Sequence, residues 1–300
     1  MTTTADLINE AKRYLYSMQR EEMNILTAGF TSVASPTLQT LTFTYPQMGI
    51  RSGAYLAIDL EIFYVFAASA TTVTVVGGQL GSTPATHASG AIVTVNPKFP
   101  DFNIFYALNQ EIVSLSSPDN GLFQIKDVDL VYNPAKQGYD LAGVTDLIDI
   151  QSIRYKQANA SNYEPSIRSF GLTRNQNTTD YSSGYTLSLY EAAWPGQTIR
   201  VHYKAPFSSL VNLTDDVVVV TGLPKTATDI PALGAAVRLM AGRELKRNFT
   251  EAQDEPKRGQ EIPAGAVANS VKNLMMLWQR RVNEELARLE AAYPQISNRA

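Results

Sequence analysis

Residues 73–95 read VTVVGGQLGSTPATHASGAIVTV, and this stretch decides the class of fold. Apolar and polar residues alternate in Thr71–Val76 and again in Ala91–Val95, and a period of two predicts two half-buried strands. The segment between them is mostly Gly, Ser, Thr, Pro and Ala, which is typical of a surface loop. At about 14 residues it is longer than a tight hairpin needs, and long ordered loops often carry function. Its backbone can adopt positive φ, or lie close against another chain, at Gly77, Gly78, Gly81 and Gly90.

The composition is that of an ordinary folded protein. The chain has 300 residues, of which 44% are hydrophobic and 18% charged, and its net charge of −3 does not indicate a nucleic-acid binder. The 15 Tyr and 11 Phe favour β structure. The lack of Cys excludes disulfides, thiolate metal sites and Cys nucleophiles. The sequence has neither a signal-peptide core nor 18 consecutive apolar residues, so we expect a soluble chain made in the cytoplasm.

An N-terminal helix is predicted from Thr4 to Asn24. Its apolar residues recur every three or four positions, at Leu7, Ala11, Tyr14 and Met18, and Thr3 or Thr4 can cap its start. We expect this apolar stripe to pack against the body of the same protein.

A first β region, Leu38–Val95, is predicted to form a small barrel or sandwich. Within it, Ala54–Ala67 forms one long strand or two abutting strands. Asp59 and Glu61 lie two residues apart on one strand face, and we interpret them as a solvated face rather than an acid–base pair or metal ligands. The aromatic-rich segment Phe99–Glu111 is either a connecting helix or an ordered crossing.

A second β region, Gly121–Phe207, is predicted to be an antiparallel sandwich. Its candidate strands are Leu122–Tyr132, Thr145–Lys156, Ile167–Thr173, Tyr185–Glu191 and Thr198–Tyr203. Asn212–Thr221 is interpreted as a closing strand. The aromatic residues Tyr181, Tyr185, Tyr190 and Trp194 have the ring chemistry of a sugar platform, although core and rim packing is the favoured interpretation.

The C-terminal region is predicted to be a helical hairpin, Asp229–Phe249 followed by Ala264–Tyr293. The polar side of its first helix is basic, with Arg238, Arg243, Lys246 and Arg247. The whole chain is therefore predicted to be α+β: an N-terminal helix (1–30), a small β domain (31–110), an antiparallel β-sandwich (111–221) and a C-terminal hairpin packing with the N-terminal helix (222–300).

No motif for catalysis, a metal or a cofactor is recognisable. His87 and His202 are the only histidines, so a His-rich zinc site is excluded. His87 is expected to bond within its own loop and His202 to be a packed or half-exposed strand residue. The glycine spacings match neither a phosphate-binding loop nor a dinucleotide fingerprint. We therefore predict that the protein is not an enzyme and has no catalytic, metal-binding or cofactor-binding residues.

Two segments resemble structural proteins of tailed bacteriophages. The order Glu61-Ile-Phe-Tyr-Val65, Thr72-Val-Thr-Val, Gly81-Ser-Thr and His87-Ala-Ser-Gly90-Ala is similar to a module of about 40 residues in their head, neck and tail components. Those modules commonly read Arg-Gly before the loop, whereas this chain has Gly77 in place of the Arg. The helical runs that begin at Pro231 and Gln279 are similar in pattern to helices of head–tail connection proteins.

The resemblance implies a head–tail connector (adaptor or neck protein). Such a protein would form a homo-oligomeric ring of about twelve copies, join the portal protein to tail or neck proteins, and let DNA pass through its lumen without sequence readout. It would reside in the virion, be assembled in the host cytoplasm, and require no membrane and no cofactor. The expected inter-subunit loop residues are Gly77, Gly78, Gly81, His87 and Gly90. The expected docking residues on the helices are Arg238, Arg243, Lys246, Arg247, Trp278, Arg280, Arg281 and Arg288.

Two other functions remain open at this stage. The first is a tail or baseplate component whose sandwich, residues 121–207, binds a host glycan. The second, a glycan hydrolase, requires two carboxylates across a cleft, and the sequence shows no recognisable motif for them.

Overall fold

The structure, a computed structural model, describes residues 2–16, 21–46, 49–136, 138–156, 164–193, 195–241 and 266–294. It is a mixed α+β fold, as predicted. The chain forms two compact units. Unit 1 comprises Met1–Glu111, Ser209–Val220 and Pro224–Gln279, and unit 2 comprises Ile112–Ser208, Thr221–Leu223 and Arg280–Ala300. The four-part division by sequence segment stays a prediction.

The first helix, α1 (Thr4–Leu15), begins with a capping box. The Asp6 amide donates to Thr3 Oγ1 at 3.2 Å, and the Thr3 amide donates to Asp6 Oδ2 at 2.9 Å. These two bonds satisfy amides that have no partner within the helix. The predicted helical extension to Asn24 is wrong, because the Asn24 side chain instead bonds the backbone of Tyr45 within a strand pairing.

The strands of unit 1 are β1 (Glu22–Ile25), β2 (Phe30–Thr31), β3 (Leu38–Thr42), β4 (Tyr55–Ile58), β5 (Glu61–Ala68), β6 (Thr72–Val76), β7 (Thr86–His87) and β8 (Ile92–Val95). Six of them form an antiparallel sheet in the order β1-β8-β4-β5-β6-β3. The two edges of this sheet meet through a bridge between Leu26 and Phe43. Backbone bonds from Thr27 to Thr42 and from Thr44 to Ile25, both 2.9 Å, extend this closure. We call this closed sheet the barrel.

Alternation along the strands fills the interior of the barrel. Val73 and Val75 on β6, and Val93 on β8, are fully buried in its core, as the period-two pattern predicts. The segment Ala54–Ala67 is two strands, because the chain reverses between Ile58 and Glu61. Strands β6 and β8 are not neighbours in the sheet, so the Gly77–Gly90 loop connects strands that are apart in the barrel.

The segment after the barrel is helical, which resolves the alternative left open for Phe99–Glu111. Helix α2 spans Asp101–Leu115. The predicted closing strand Asn212–Thr221 is wrong, since its valines form a short helix, α3 (Val217–Thr221). Asp216 Oδ1 accepts bonds from the amides of Val218 and Val219 at 2.9 and 3.2 Å, and this capping outweighs the β preference of valine.

Unit 2 is built around an antiparallel sandwich, as predicted. Its strands are β9 (Gln124–Val131), β10 (Gly138–Asp140), β11 (Asp149–Tyr155), β12 (Ser166–Ile167), β13 (Phe170–Arg174), β14 (Tyr185–Leu189) and β15 (Thr198–Ala205). They form two sheets, β10-β14-β13 and β12-β11-β15-β9, around one shared core. The predicted strand Ile167–Thr173 is in fact divided between the two sheets, and the short strand β10 was not predicted.

Two helices follow in the C-terminal region. Helix α4 covers residues 230–241, and α5 spans Ala266–Ala292. The predicted hairpin connection, together with Arg243, Lys246 and Arg247, lies outside the described residues. In the described ranges, no helix is both long and apolar enough to cross a membrane.

A close approach within unit 1 depends on Gly234 in α4. The buried carboxylate of Glu111, on α2, bonds Arg238 Nε at 2.7 Å. A Cβ at Gly234 would overlap that Glu111 carboxylate.

We expect Gly234→Ala to destabilise the protein, although Ala is favoured over Gly inside a helix by about 1 kcal/mol. Overlap with a buried side chain costs about 1–3 kcal/mol, so the net loss is about 1 kcal/mol. Urea denaturation of the full chain measures it. Gly29→Ala is the control, since its Cβ would make only ordinary contact, with a nearest atom at 3.5 Å. A more stable Gly234→Ala variant would contradict the role given to this glycine.

Candidate functional site

The Gly77–Gly90 loop folds back onto the barrel and buries His87. Strand β7 pairs with β2, which places His87 opposite Phe30. Only 1% of His87 is exposed. Its Nδ1 lies 2.9 Å from Asp59 Oδ2, and its Nε2 lies 2.9 Å from Glu61 Oε2. The imidazole is therefore held between two carboxylates.

Glu61 is the centre of this arrangement. Its carboxylate is fully buried at the start of β5 and accepts bonds from several segments. The amide of Gly78 donates to Oε1 and the amide of Ala85 donates to Oε2, both at 2.9 Å. The Ser32 hydroxyl also donates to Oε1. A buried carboxylate is tolerated when it is paired and hydrogen-bonded in this way. We call Ser32, Asp59, Glu61 and His87 the His87 cluster.

Gly77 is required by the crowding beside the cluster. A Cβ at this position would overlap the Ser32 hydroxyl and the Glu61 carboxylate. The next residue, Gly78, has φ of +63°, which a residue with a Cβ adopts only with strain. Glycine at position 77 thus has a steric reason in this chain.

The rest of the loop faces more open surroundings. A Cβ at Gly81 or Gly90 would meet no atom within 4 Å, so their positive φ values of +85° and +86° are the reason for glycine there. Leu80 also has positive φ, +54°, and its side chain is largely exposed. A leucine in this backbone region stores strain that the bonds around it must offset.

The electrostatics of the cluster favour its charged form. Burial by itself lowers the pKa of His87, but hydrogen bonds and charge from Asp59 and Glu61 outweigh that effect and raise the pKa to about 9. Burial raises the pKa of Glu61, while the bonds from His87, Ser32 and the two loop amides lower it, with a net lowering. At neutral pH the cluster is therefore a buried imidazolium between two carboxylates.

Two interpretations of these residues were wrong. Glu61 is buried rather than part of a solvated face, while Asp59 is half exposed in the β4–β5 turn with φ of +50°. His87 bonds to that β-hairpin rather than to its own loop. One signal in the sequence pointed to this outcome: Glu61 opens the otherwise apolar run Ile-Phe-Tyr-Val, where a carboxylate needs a partner.

The hydrogen bonds of the cluster occupy the groups that catalysis or metal binding would use. Both ring nitrogens of the charged His87 donate to carboxylates, so neither has a lone pair for base catalysis or metal binding. The Ser32 hydroxyl donates to Glu61 and not to His87, so Ser32 and His87 do not form the hydroxyl–imidazole pair of a catalytic triad. Throughout the described part of the chain, no group of three or more His, Asp or Glu side chains has metal-binding geometry.

The described docking residues are engaged within their own units. Arg238 bonds the buried Glu111. On α5, Arg280 and Arg281 bond Glu284 at 2.9 and 2.7 Å, and Arg288 bonds Glu285 at 2.7 Å. Trp278 is half-buried. These arginines therefore present less free positive charge than the sequence pattern indicates.

The two carboxylates of the cluster are expected to contribute unequally to the free energy of unfolding. Glu61→Gln removes the buried partner of His87, and breaking a buried pair costs about 3 kcal/mol or more. Asp59→Asn alters a half-exposed partner, for which we expect about 1 kcal/mol or less. Urea denaturation at pH 7 of the two variants, which change the same chemical group, measures the difference. Equal losses would contradict the central place of Glu61.

No family model, no curated protein and no solved structure matches this chain.

Proposed function

We propose that this protein is a structural component of a tailed-phage particle, a ring-forming head–tail connector that joins the portal to the tail. The observation that carries the proposal is a barrel with an exposed apolar strip on β1 and β8 and an exposed leucine, Leu80, on the hydrogen-bonded Gly77–Gly90 loop. A ring of identical subunits needs two different contact surfaces on each copy, and in the proposal the strip and the loop supply them.

The first apolar surface lies on the outside of strands β1 and β8. Ile25 and Ile92 are direct partners in the pairing of these strands, so their side chains share one face of the sheet. Met23, two residues from Ile25, lies on the same face. Met23 and Ile92 are each 58% exposed and Ile25 is 37% exposed. An apolar strip of this kind is typical of a surface that another subunit covers.

The second surface is the Gly77–Gly90 loop, where Leu80 is 63% exposed. The His87 cluster already fixes this loop within the single chain. A contact made through it therefore loses little conformational entropy, because the backbone is ordered before the partner arrives.

Helix α5 supports the docking role of the C-terminal region. Met275, Met276 and Leu277 are three consecutive exposed apolar residues in it, next to the half-buried Trp278. Exposed methionines adapt to partner surfaces because their side chains are flexible and polarizable. In the proposal, this part of α5 contacts a portal, neck or tail protein.

The charge balance of the chain is compatible with the passage of DNA through such a ring. With a net charge of −3, and with its described docking arginines paired to glutamates, the chain is suited to a lumen that DNA crosses without being read in sequence. The protein would act in the virion, after assembly in the host cytoplasm, and without a cofactor.

The alternative proposal is a tail or baseplate component that binds glycan through the sandwich. Trp194, on which it depends, lies outside the described residues. Tyr190 of the same aromatic set is exposed.

We expect the purified chain to form rings, alone or on the portal protein of the same phage, and Ile92→Lys to weaken that association at least about tenfold. A lysine is solvated on the free barrel but would have to be desolvated inside an apolar contact. Native mass measurement, negative-stain imaging and portal pull-down provide the readout.

Tyr106→Lys is the matched control, because Tyr106 is equally exposed but lies on α2. An unchanged Ile92→Lys variant would refute this interface, and binding of the chain to tail tips or bacterial glycan instead of portal would favour the alternative.

A further inference from the structure

Both ends of the Gly77–Gly90 loop are attached to the same carboxylate. Gly78, at the start of the loop, and Ala85, near its end, each donate a backbone bond to Glu61. His87 then adds a side-chain bond to Glu61 and another to Asp59. The position of the whole loop therefore depends on one small set of charges.

We propose that the Gly77–Gly90 loop is a pH-sensitive latch, closed on the barrel while His87 is protonated and opening as His87 loses its proton. The proposal concerns the isolated chain and holds whether or not the protein is a phage connector.

The groups that face His87 set the sign of this effect. Asp59 comes from the β4–β5 turn and Glu61 from β5, and both are acidic. The uncharged ring of Phe63 packs edge-on, with ring centroids 5.7 Å apart. Among the residues described, Asp101 interacts electrostatically with Asp59 rather than with the ring, and it is paired with Lys12 at 2.5 Å. Every charge that acts directly on the ring is therefore negative.

A neutral imidazole cannot make both of the observed bonds. It carries one N–H, so it can donate to Asp59 or to Glu61 but not to both. The other ring nitrogen would then face a carboxylate oxygen of Asp59 or Glu61, acceptor against acceptor. Loss of the proton thus removes one bond and introduces a repulsion at the point where the loop is attached.

The pH range follows from the two states of the loop. In the open loop His87 is solvated and has its ordinary pKa of 6.5, whereas in the closed loop the pKa is raised to about 9. Closure is fully favoured below pH 6.5 and is weakened as the pH rises toward 9. Between these limits, the equilibrium constant for opening increases about tenfold per pH unit, and above them it levels off. The latch therefore responds between pH 6.5 and about 9, mostly on the alkaline side of neutrality.

Hydrogen exchange of the full chain across pH 6 to about 9.5 tests the proposal. The exchange rates of the Gly78 and Ala85 amides should rise with pH more steeply than those of barrel-core amides such as Val75. The expected difference is a further factor of about ten per pH unit. This extra increase should disappear in His87→Gln and persist in His202→Gln, which removes the other histidine. Equal slopes for loop and core amides in the unaltered protein would overturn the proposal.

A second measurement covers the case in which His87→Gln does not fold. The chain has two histidines, so an NMR titration of the unaltered protein resolves both. His87 should titrate well above His202, whose pKa is lowered by burial and by the nearby Arg154. Titration of His87 at or below its ordinary value would refute the latch.

Discussion

The burial of the Glu61 carboxylate is the constraint on which the site depends. An isolated buried carboxylate is strongly unfavourable, so its surroundings must supply donors and a positive charge. Here the donors come from separate segments: Ser32 before β3, Gly78 and Ala85 in the loop, and His87 on β7. One charged group thus fixes the relative positions of chain segments that are more than 50 residues apart in sequence, from Ser32 to His87.

The sequence predicted the elements whose residues follow a repeating apolar pattern. Period-two alternation correctly indicated the strands on either side of the Gly77–Gly90 loop, because one face of each strand enters the barrel core. It failed where a single contact outweighs a pattern. The apolar pattern typical of a helix continues past Leu15, but the residues that follow form β1, which pairs with β8. Four consecutive valines favour a strand, yet capping by Asp216 begins a helix.

The sequence did not predict the His87 cluster because the chain turns between Asp59 and Glu61. Residues two apart share a face only if the strand is continuous, and the chain reverses at Asp59, where φ is positive. Glu61 then opens a new strand and enters the buried site, while Asp59 stays at the rim. Which side chain bonds His87 depends on the pairing of β2 with β7, a contact between segments distant in sequence that no local pattern encodes.

The His87 cluster also changes how the loop can function. A Gly-rich loop in solution would have to be ordered at the moment of contact, and that cost would weaken any interface made through it. Here the bonds to Glu61 offset the entropy cost of ordering the loop within the single chain. The exposed Leu80 is therefore held in its strained conformation before any partner is present. Because those bonds depend on a charged imidazole, the same group that makes the loop rigid also makes its rigidity depend on pH. Any function of the loop as a contact surface is thereby coupled to the protonation of a residue that the contact itself need not touch.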